Sequence, residues 1–310
     1  MLNRRHLRIR VLQFVYYWNK SKQIDLAVFE KEFLNSLANL ETLYLLLLKY
    51  VLKLRDFSEN YLEGSMNKKL PSINDLNPNK KFINNLFIKN LRDKSDLNKR
   101  LDRLKLSFSD ENIMIKDIHF KMLESEIYND YMNNHNTTYE DDKKFILNFF
   151  SKELIEMESF QEFFNKKDIF WEDDFPFICN LVIKTIKESN SNRVILYDFL
   201  NNDVKEFSLN LLRNTIVNSD EFSKLISSKT KNWDLKRVAQ MDLILMQMAL
   251  SELLKMPNVP VKVTINEYIE LAKYYSTANS KNFVNGILDS LLFELMKEGS
   301  IKKTGRGLIE

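Results

Sequence analysis

Two groups of side chains in this sequence are suited to bind an anion, and they stand near opposite ends of the chain. Arg4, Arg5, His6, Arg8 and Arg10 fall within seven residues, and no acid precedes Asp25. Arg4 and Arg8 stack one helical turn apart, with Arg5 beside them and Arg10 farther round. The planar guanidinium fork fits phosphate oxygens and also stacks on bases. A solvated basic face near a free N-terminus explains the same residues, and the spacing leaves both readings open. The second group opens a helix: Asn279 or Ser280 serves as N-cap, Lys281 sits in the first turn and Phe283 follows. Backbone amides and a cation suit a phosphate, and a ring suits a base. By spacing alone, Phe283 also fits a core position.

The elements that position these groups are helices. The arginines ride on a helix from about Asn3 to Trp18, with Leu7, Val11, Phe14, Val15 and Trp18 as its apolar stripe. The C-terminal stretch from Trp233 to Leu292 reads as three helices. Val238, Met241, Leu245, Met248 and Leu253 recur from Leu235 to Lys255; Pro257 and Pro260 then stop one helix and start the next. Ile265, Tyr268, Ile269, Ala272 and Tyr275 line the second, and Phe283, Ile287, Leu288, Leu291 and Leu295 point inward from the third. Between the two ends, helices are expected at about 25–39, 41–63, 80–91, 95–106 and 114–133, with a loop from Lys68 to Lys81. The apolar run Leu43–Leu54 is too short to span a bilayer and contains Lys49 and Lys53, so it reads as a core helix.

Composition narrows the class. With 5 glycines and 5 prolines in 310 residues, three of the glycines at or after Gly299, many short strands are excluded and the chain reads as all-α. One cysteine, Cys179, and three histidines, His6, His119 and His135, supply neither a disulfide framework nor a zinc site, which fits a reducing, cytoplasmic setting. No secretory signal is visible. The net charge of +3 means that any basic patch is local.

An internal repeat occupies the centre. At an offset of 62, Asp141, Lys143, Phe145 and Leu147-Asn148 match Asp203, Lys205, Phe207 and Leu209-Asn210; Phe160, Lys167, Trp171 and Leu181 match Phe222, Lys229, Trp233 and Leu243. Each copy reads helix, short helix, Trp, helix, and Asn190-Ser-Asn-Arg193 separates them. The first copy diverges after Trp171, where Glu172-Asp-Asp174 and Pro176 replace Asp234-Leu-Lys-Arg237.

Read together, the two ends resemble the NusB family of transcription antitermination factors. Arg4-Arg5-His6-Leu7-Arg8 followed by Gln13 and Tyr16 is similar to that family's arginine-rich opening. Trp233-Asp-Leu-Lys-Arg-Val-Ala-Gln-Met-Asp242, Glu252-Leu, Val259–Glu267, Glu270-Leu-Ala-Lys273 and Phe283-Val-Asn-Gly-Ile-Leu-Asp289 occur in its order and spacing. The resemblance covers roughly residues 1–40 and 203–297, and the chain is about twice the family's usual length. His6 and Leu7 depart from the motif, which puts weight on Arg4, Arg5 and Arg8.

The resemblance implies an all-α fold of two packed helical bundles with a large helical insertion. The expected divisions are 1–64 (arginine helix and first part of an N-terminal subdomain), 65–200 (insertion with the decayed repeat, 141–183 similar to 203–245), 201–232 (the rest of that subdomain), 233–298 (C-terminal subdomain) and 299–310 (a flexible basic tail). It also implies binding of boxA-like single-stranded RNA of ribosomal RNA transcripts jointly with NusE, a small-ribosomal-subunit protein, within the RNA polymerase antitermination complex, with no cofactor and no membrane. Carried over by motif position, the RNA-binding residues are Arg4, Arg5, Arg8, Tyr16, Asn279, Lys281, Phe283 and Asn285. Asn285-Gly286 also reads as a close-packing pair, and Asn266-Glu267 and Glu270 as cap and packing residues. Two alternatives stand beside this reading: a NusB-like module of an RNA-modifying methyltransferase system, and a helical adaptor without RNA binding. Against the first, no glycine-rich strand–turn–helix unit is present, and Cys179 reads as a buried thiol on an apolar helix face.

Overall fold

The computed structural model describes residues 3–21, 25–104, 108–135, 138–229 and 238–308. Its helices are α1 (Arg4–Lys20), α2 (Leu26–Met66), α3 (Ile73–Leu76), α4 (Leu86–Arg92), α5 (Ser95–Leu104), α6 (Glu111–Glu124), α7 (Glu126–Asn133), α8 (Tyr139–Phe149), α9 (Glu158–Asn165) and α10 (Trp171–Glu188). They continue with α11 (Asn202–Val217), α12 (Ser219–Lys229), α13 (Gln240–Lys255), α14 (Val261–Tyr275) and α15 (Ser280–Lys297). The described residues are all-α; their only β pairing is the isolated bridge Asn190–Arg193, which closes the polar break between the repeat copies. Among them, no helix is long and apolar enough to cross a membrane.

Several boundaries differ from those the sequence suggests. Helices expected at 25–39 and 41–63 are one continuous α2. Neither glycine nor proline separates them, and Leu37, Leu40 and Leu43 are all fully buried across the expected break, so packing holds the backbone helical. The segment 114–133 is instead two helices, divided at Ser125, whose hydroxyl caps α7 by accepting from Tyr128 N at 3.1 Å. The helix expected from residue 80 begins at Leu86, where the Asn85 side chain caps Ile88 N at 3.0 Å. Trp233 and Asp234–Arg237 lie outside the described residues.

The chain forms two compact units, Met1–Leu37 with Phe199–Glu310, and Ala38–Asp198. In the first, α1 packs on α11 and α13, and α13, α14 and α15 pack on one another. Phe14 meets Phe29 and Phe33 edge-on at 5.4 and 5.1 Å, and Trp18 meets Phe29 at 5.0 Å. Aromatic pairs at such spacings contribute beyond the area they bury. In the second unit the apolar run of α2 is a core helix, as its composition requires. Tyr50 sits among Phe160, Phe163 and Phe164, and the two lysines that interrupt the run, Lys49 and Lys53, both reach the buried Glu111.

The element order of the two repeat copies is α8, α9, α10 and α11, α12, α13. Their differences are local. In the first copy a π-helical turn, Phe150–Leu154, follows α8, and Pro176 lies inside α10.

The C-terminal segment, expected to be flexible, is docked through residue 308. Gly299 (φ 68°) ends α15, and Ser300 N returns to Leu295 O at 2.9 Å. Lys303 Nζ donates to the Glu252 and Met256 carbonyls at the end of α13, both at 3.1 Å, and burial lowers its pKa to about 8. Thr304 N donates to Pro257 O at 3.0 Å. Gly307 is buried, and a Cβ there would lie 1.9 Å from Pro257 O. We therefore expect Gly307→Ala to release this segment and leave the main thermal unfolding transition in place. Limited trypsin digestion should cleave after Lys302, Lys303 or Arg306 several-fold faster than in the parent; equal rates would mean that the segment is not held there.

Candidate nucleic-acid interface

The arginine helix is held to its unit by acids far away in sequence. Asn3 caps α1 by accepting from Arg5 N at 3.0 Å, and the apolar stripe faces α11 and α13. That orientation buries His6, Arg8 and Arg10. Arg8 is 1% exposed and donates through Nε and Nη2 to both carboxylate oxygens of the fully buried Glu252, at 2.9 and 2.6 Å. Glu252 also accepts from the Thr264 hydroxyl at 2.8 Å and the Tyr268 hydroxyl at 3.1 Å. The Arg8 guanidinium lies near the rings of Phe207 and Tyr268, at 5.4 and 6.0 Å. Burial opposes its charge, but the hydrogen bonds and charge of Glu252 more than offset burial and raise its pKa.

Arg8 is therefore not placed to touch a ligand directly, which corrects the sequence expectation. Its fork is occupied and its atoms are out of solvent, so any part it plays in binding runs through the position of α1. Arg5 and Arg4 differ. Arg5 keeps 45% of its side chain exposed and makes a two-point contact with Glu267, at 2.9 and 2.7 Å. Burial pushes the Glu267 carboxyl upward, but the Arg5 hydrogen bonds and the Arg8 and Arg5 charges bring it below its ordinary 4.5. Arg4 is 36% exposed, 3.8 Å from the open carboxylate of Asp203, with its guanidinium 4.8 Å from the Phe207 ring centroid. Farther along α1, Tyr16 is 37% exposed, and Lys20 Nζ lies 5.5 Å from its ring.

The second group occupies the start of α15. Asn279 is the exposed N-cap residue, but its side chain makes no capping bond. The polar contacts belong to Ser280, which is buried and donates to Asp242 Oδ2 at 2.8 Å. Lys281 is exposed and has no ion-pair partner among the described residues. The residues buried along α15 are Ser280, Val284, Leu288, Leu291 and Leu295, so Phe283 lies at the margin of the packed face, half-buried, between the two roles its spacing allows. Asn285 is half-buried and donates to Asp289 Oδ2 at 3.0 Å.

One helix links the groups. Asp242, at the start of α13, holds Ser280, and Glu252 on the same helix holds Arg8. Ten residues of helix separate these anchors, roughly 15 Å at the α-helical rise. Sequence reasoning named Glu252 only as a motif position, not as the partner of Arg8, and did not name Lys20. The visible signal for Glu252 is a lone acid within Ala249-Leu-Ser-Glu-Leu-Leu254, an otherwise apolar turn. Cys179 offers no nucleophile, because burial raises its pKa to about 12 and keeps the thiol protonated at neutral pH.

Against known proteins, the family model "NusB family" matches residues 171–293. Relatives named transcription antitermination protein NusB include those of Salinibacter ruber, 44% identical over 34% of this chain and 66% of that protein, and Chloroherpeton thalassium, 42% identical over 34% and 50%. A third, from Desulfatibacillum aliphaticivorans, is 43% identical over 33% of this chain and 71% of that protein. The chain thus spans just under two thirds and one half of the first two relatives' lengths. A solved T. maritima NusB is 28% identical and aligns over 49% of this chain and 91% of its own, at a TM-score of 0.30.

Two outcomes follow from the buried pair and its neighbours. Glu252→Ala leaves the Arg8 charge buried without its partner and should cost about 3–5 kcal/mol in denaturant unfolding, whereas Arg8→Met with Glu252→Leu should recover most of that loss. The Glu267 contribution is fully present above 4.5 and is lost as pH falls through the depressed folded value. Glu267→Gln should accordingly flatten part of the fall in melting temperature below about pH 4.5; an unchanged acid limb would show that the Arg5 contact contributes nothing.

Proposed function

The chain belongs to the NusB family, and on that premise we propose that it is a non-enzymatic RNA-binding antitermination factor of the cytoplasm. Its ligand is boxA-like single-stranded RNA of ribosomal RNA transcripts, taken up together with NusE before the complex joins RNA polymerase. One observation supports the reading above the others. The family match, residues 171–293, contains a helix start whose first turns carry Lys281, exposed and without an ion-pair partner among the described residues, and the half-buried Phe283. Arg4, Arg5 and Tyr16 lie outside that match and enter on their exposure and on the α1 motif.

Single-stranded RNA is held by cations on phosphate and by rings under bases. Lys281 and Arg4 serve as phosphate contacts, because neither is held by a close, buried acid. Arg5 binds phosphate only by exchanging Glu267 for it, so its net contribution is smaller. Phe283 and Tyr16 are stacking platforms, and Asn279 and Asn285 offer amides to base edges. Arg8 and Glu252 fix the arginine helix against α13 and so set the spacing between the two groups. On this reading the divisions at 65–200 and 233–298 separate an inserted segment from a binding subdomain.

The test is RNA affinity across a salt series, measured by fluorescence anisotropy with and without NusE. Lys281→Ala should weaken binding of a boxA-like strand and make the slope of log affinity against log salt about 0.7 shallower. Phe283→Ala should cost roughly 1–3 kcal/mol with little change in slope. If both variants bind as the parent does at every salt concentration, the proposed surface is wrong.

A further inference from the structure

A second basic surface, within Ala38–Asp198, uses none of the RNA-binding residues proposed above. Residues 77–94 carry five cations, Lys80, Lys81, Lys89, Arg92 and Lys94, against the single acid Asp93. Their net +4 exceeds the +3 of the whole 310-residue chain. The fold turns this segment around two cavities of about 500 and 520 Å³, and both are lined by Asn84 and Leu86. The two therefore adjoin along one groove at the foot of α4.

Charge in this groove is unevenly compensated. Arg55, Arg92 and one acid, Asp93, line one cavity; both arginines contact Asp56, with Arg55 also on Glu59. Asp142 lines the other, but its carboxylate is buried and turned onto the protein, accepting from Leu86 N at 2.7 Å and the Tyr131 hydroxyl at 2.6 Å. Lys81 is braced by the carbonyl oxygens of Tyr131 (2.7 Å) and Asn134 and lies 4.5 Å from the Tyr131 ring centroid, and among the described residues no carboxylate pairs with it. Lys80 and Lys89 are exposed, one in each cavity wall, and have no acid partner among the described residues.

The junction of the cavities has the chemistry of a nucleobase seat. Leu86 is 39% exposed there, an apolar surface in a basic setting. Beside it the exposed Asn84 amide has no side-chain partner among the described residues, leaving two donors and an acceptor open. Exposed lysines without an ion-pair partner among the described residues, one on each side of an apolar and amide-bearing junction, suit a strand with phosphates outside and bases inside. An acidic peptide would use the lysines but has no need of that floor.

We propose that this groove is a second single-stranded RNA site, with Lys80 and Lys89 on phosphates and a base against Leu86 and Asn84. The proposal rests on the RNA-binding function above and extends the RNA contact to a surface outside the family match. Its test uses the full chain and a single-stranded RNA made of a boxA-like element extended by polyuridine, with affinity followed across salt. Lys80→Gln with Lys89→Gln removes two contacts and should make the slope about 1.4 shallower. Asn84→Ala should lower affinity about fivefold at unchanged slope. Lys281→Gln, measured in parallel, reads the other surface. Loss in the groove variants with Lys281→Gln silent would uphold the groove and remove the α15 surface. An unchanged slope in the double variant, with Lys281→Gln impaired, would overturn the groove alone. No RNA binding by the parent would overturn both. Loss of polyglutamate binding in the double variant with RNA binding intact would assign the groove to an acidic protein and overturn the proposal.

Discussion

The arrangement of the first unit depends on one buried ion pair. Arg8 on α1 and Glu252 on α13 meet through two hydrogen bonds with both side chains out of solvent, and Thr264 and Tyr268 of α14 supply the remaining donors. Desolvating two charges is costly, so such a pair adds little net stability compared with apolar residues of the same shape. What it adds is selectivity of register. A one-residue rotation of α1 would leave two buried charges unmatched, and that alternative is excluded by several kcal/mol. Arg5 on Glu267 and Arg4 near Asp203 then follow from where Arg8 is pinned.

This explains why the arginine cluster was only half legible. Its presence, its helix and its apolar stripe can be read from residues 3–20, because helical periodicity is local. The apparent lack of compensating acid is also local, and it misleads. Glu252, Glu267 and Asp203 provide the compensation from some two hundred residues or more away, and no spacing rule connects them to Arg8, Arg5 and Arg4. Exposure has the same limit: the stripe says which face of α1 is inward, but not that His6, Arg8 and Arg10 are buried as well.

The helical elements were legible where propensity, caps and packing agree. The core run of α2 and the Pro257–Pro260 break before α14 follow from residue type, whereas α15 starts where expected although the Asn279 side chain makes no cap. The boundary between 25–39 and 41–63 does not exist in the fold, because Leu37, Leu40 and Leu43 carry the helix through by burial. The docked segment after Gly299 failed for a related reason. Glycine and lysine suggest mobility in an isolated peptide, but here Lys303 satisfies carbonyls at the end of α13 and Gly307 fits against Pro257 where no side chain would. Phe283 was left between core and surface by its spacing, and the fold places it half-buried.

Partnering by the fold, more than membership of a motif, decides which cations can serve a phosphate. A cation already paired with a carboxylate must give up that contact before it can hold a ligand, so its net electrostatic return is small. A cation whose neighbours are carbonyls, rings or water has no such exchange to make, and its counterions are released on binding. By this measure the motif arginines are mostly structural: Arg8 is fully committed, Arg5 is shared with Glu267 and Arg4 is loosely held by an open carboxylate. Lys281, Lys80 and Lys89 are exposed and carry no acid partner among the described residues. A chain of net charge +3 can therefore present local basic surfaces wherever unpaired lysines cluster apart from its acids.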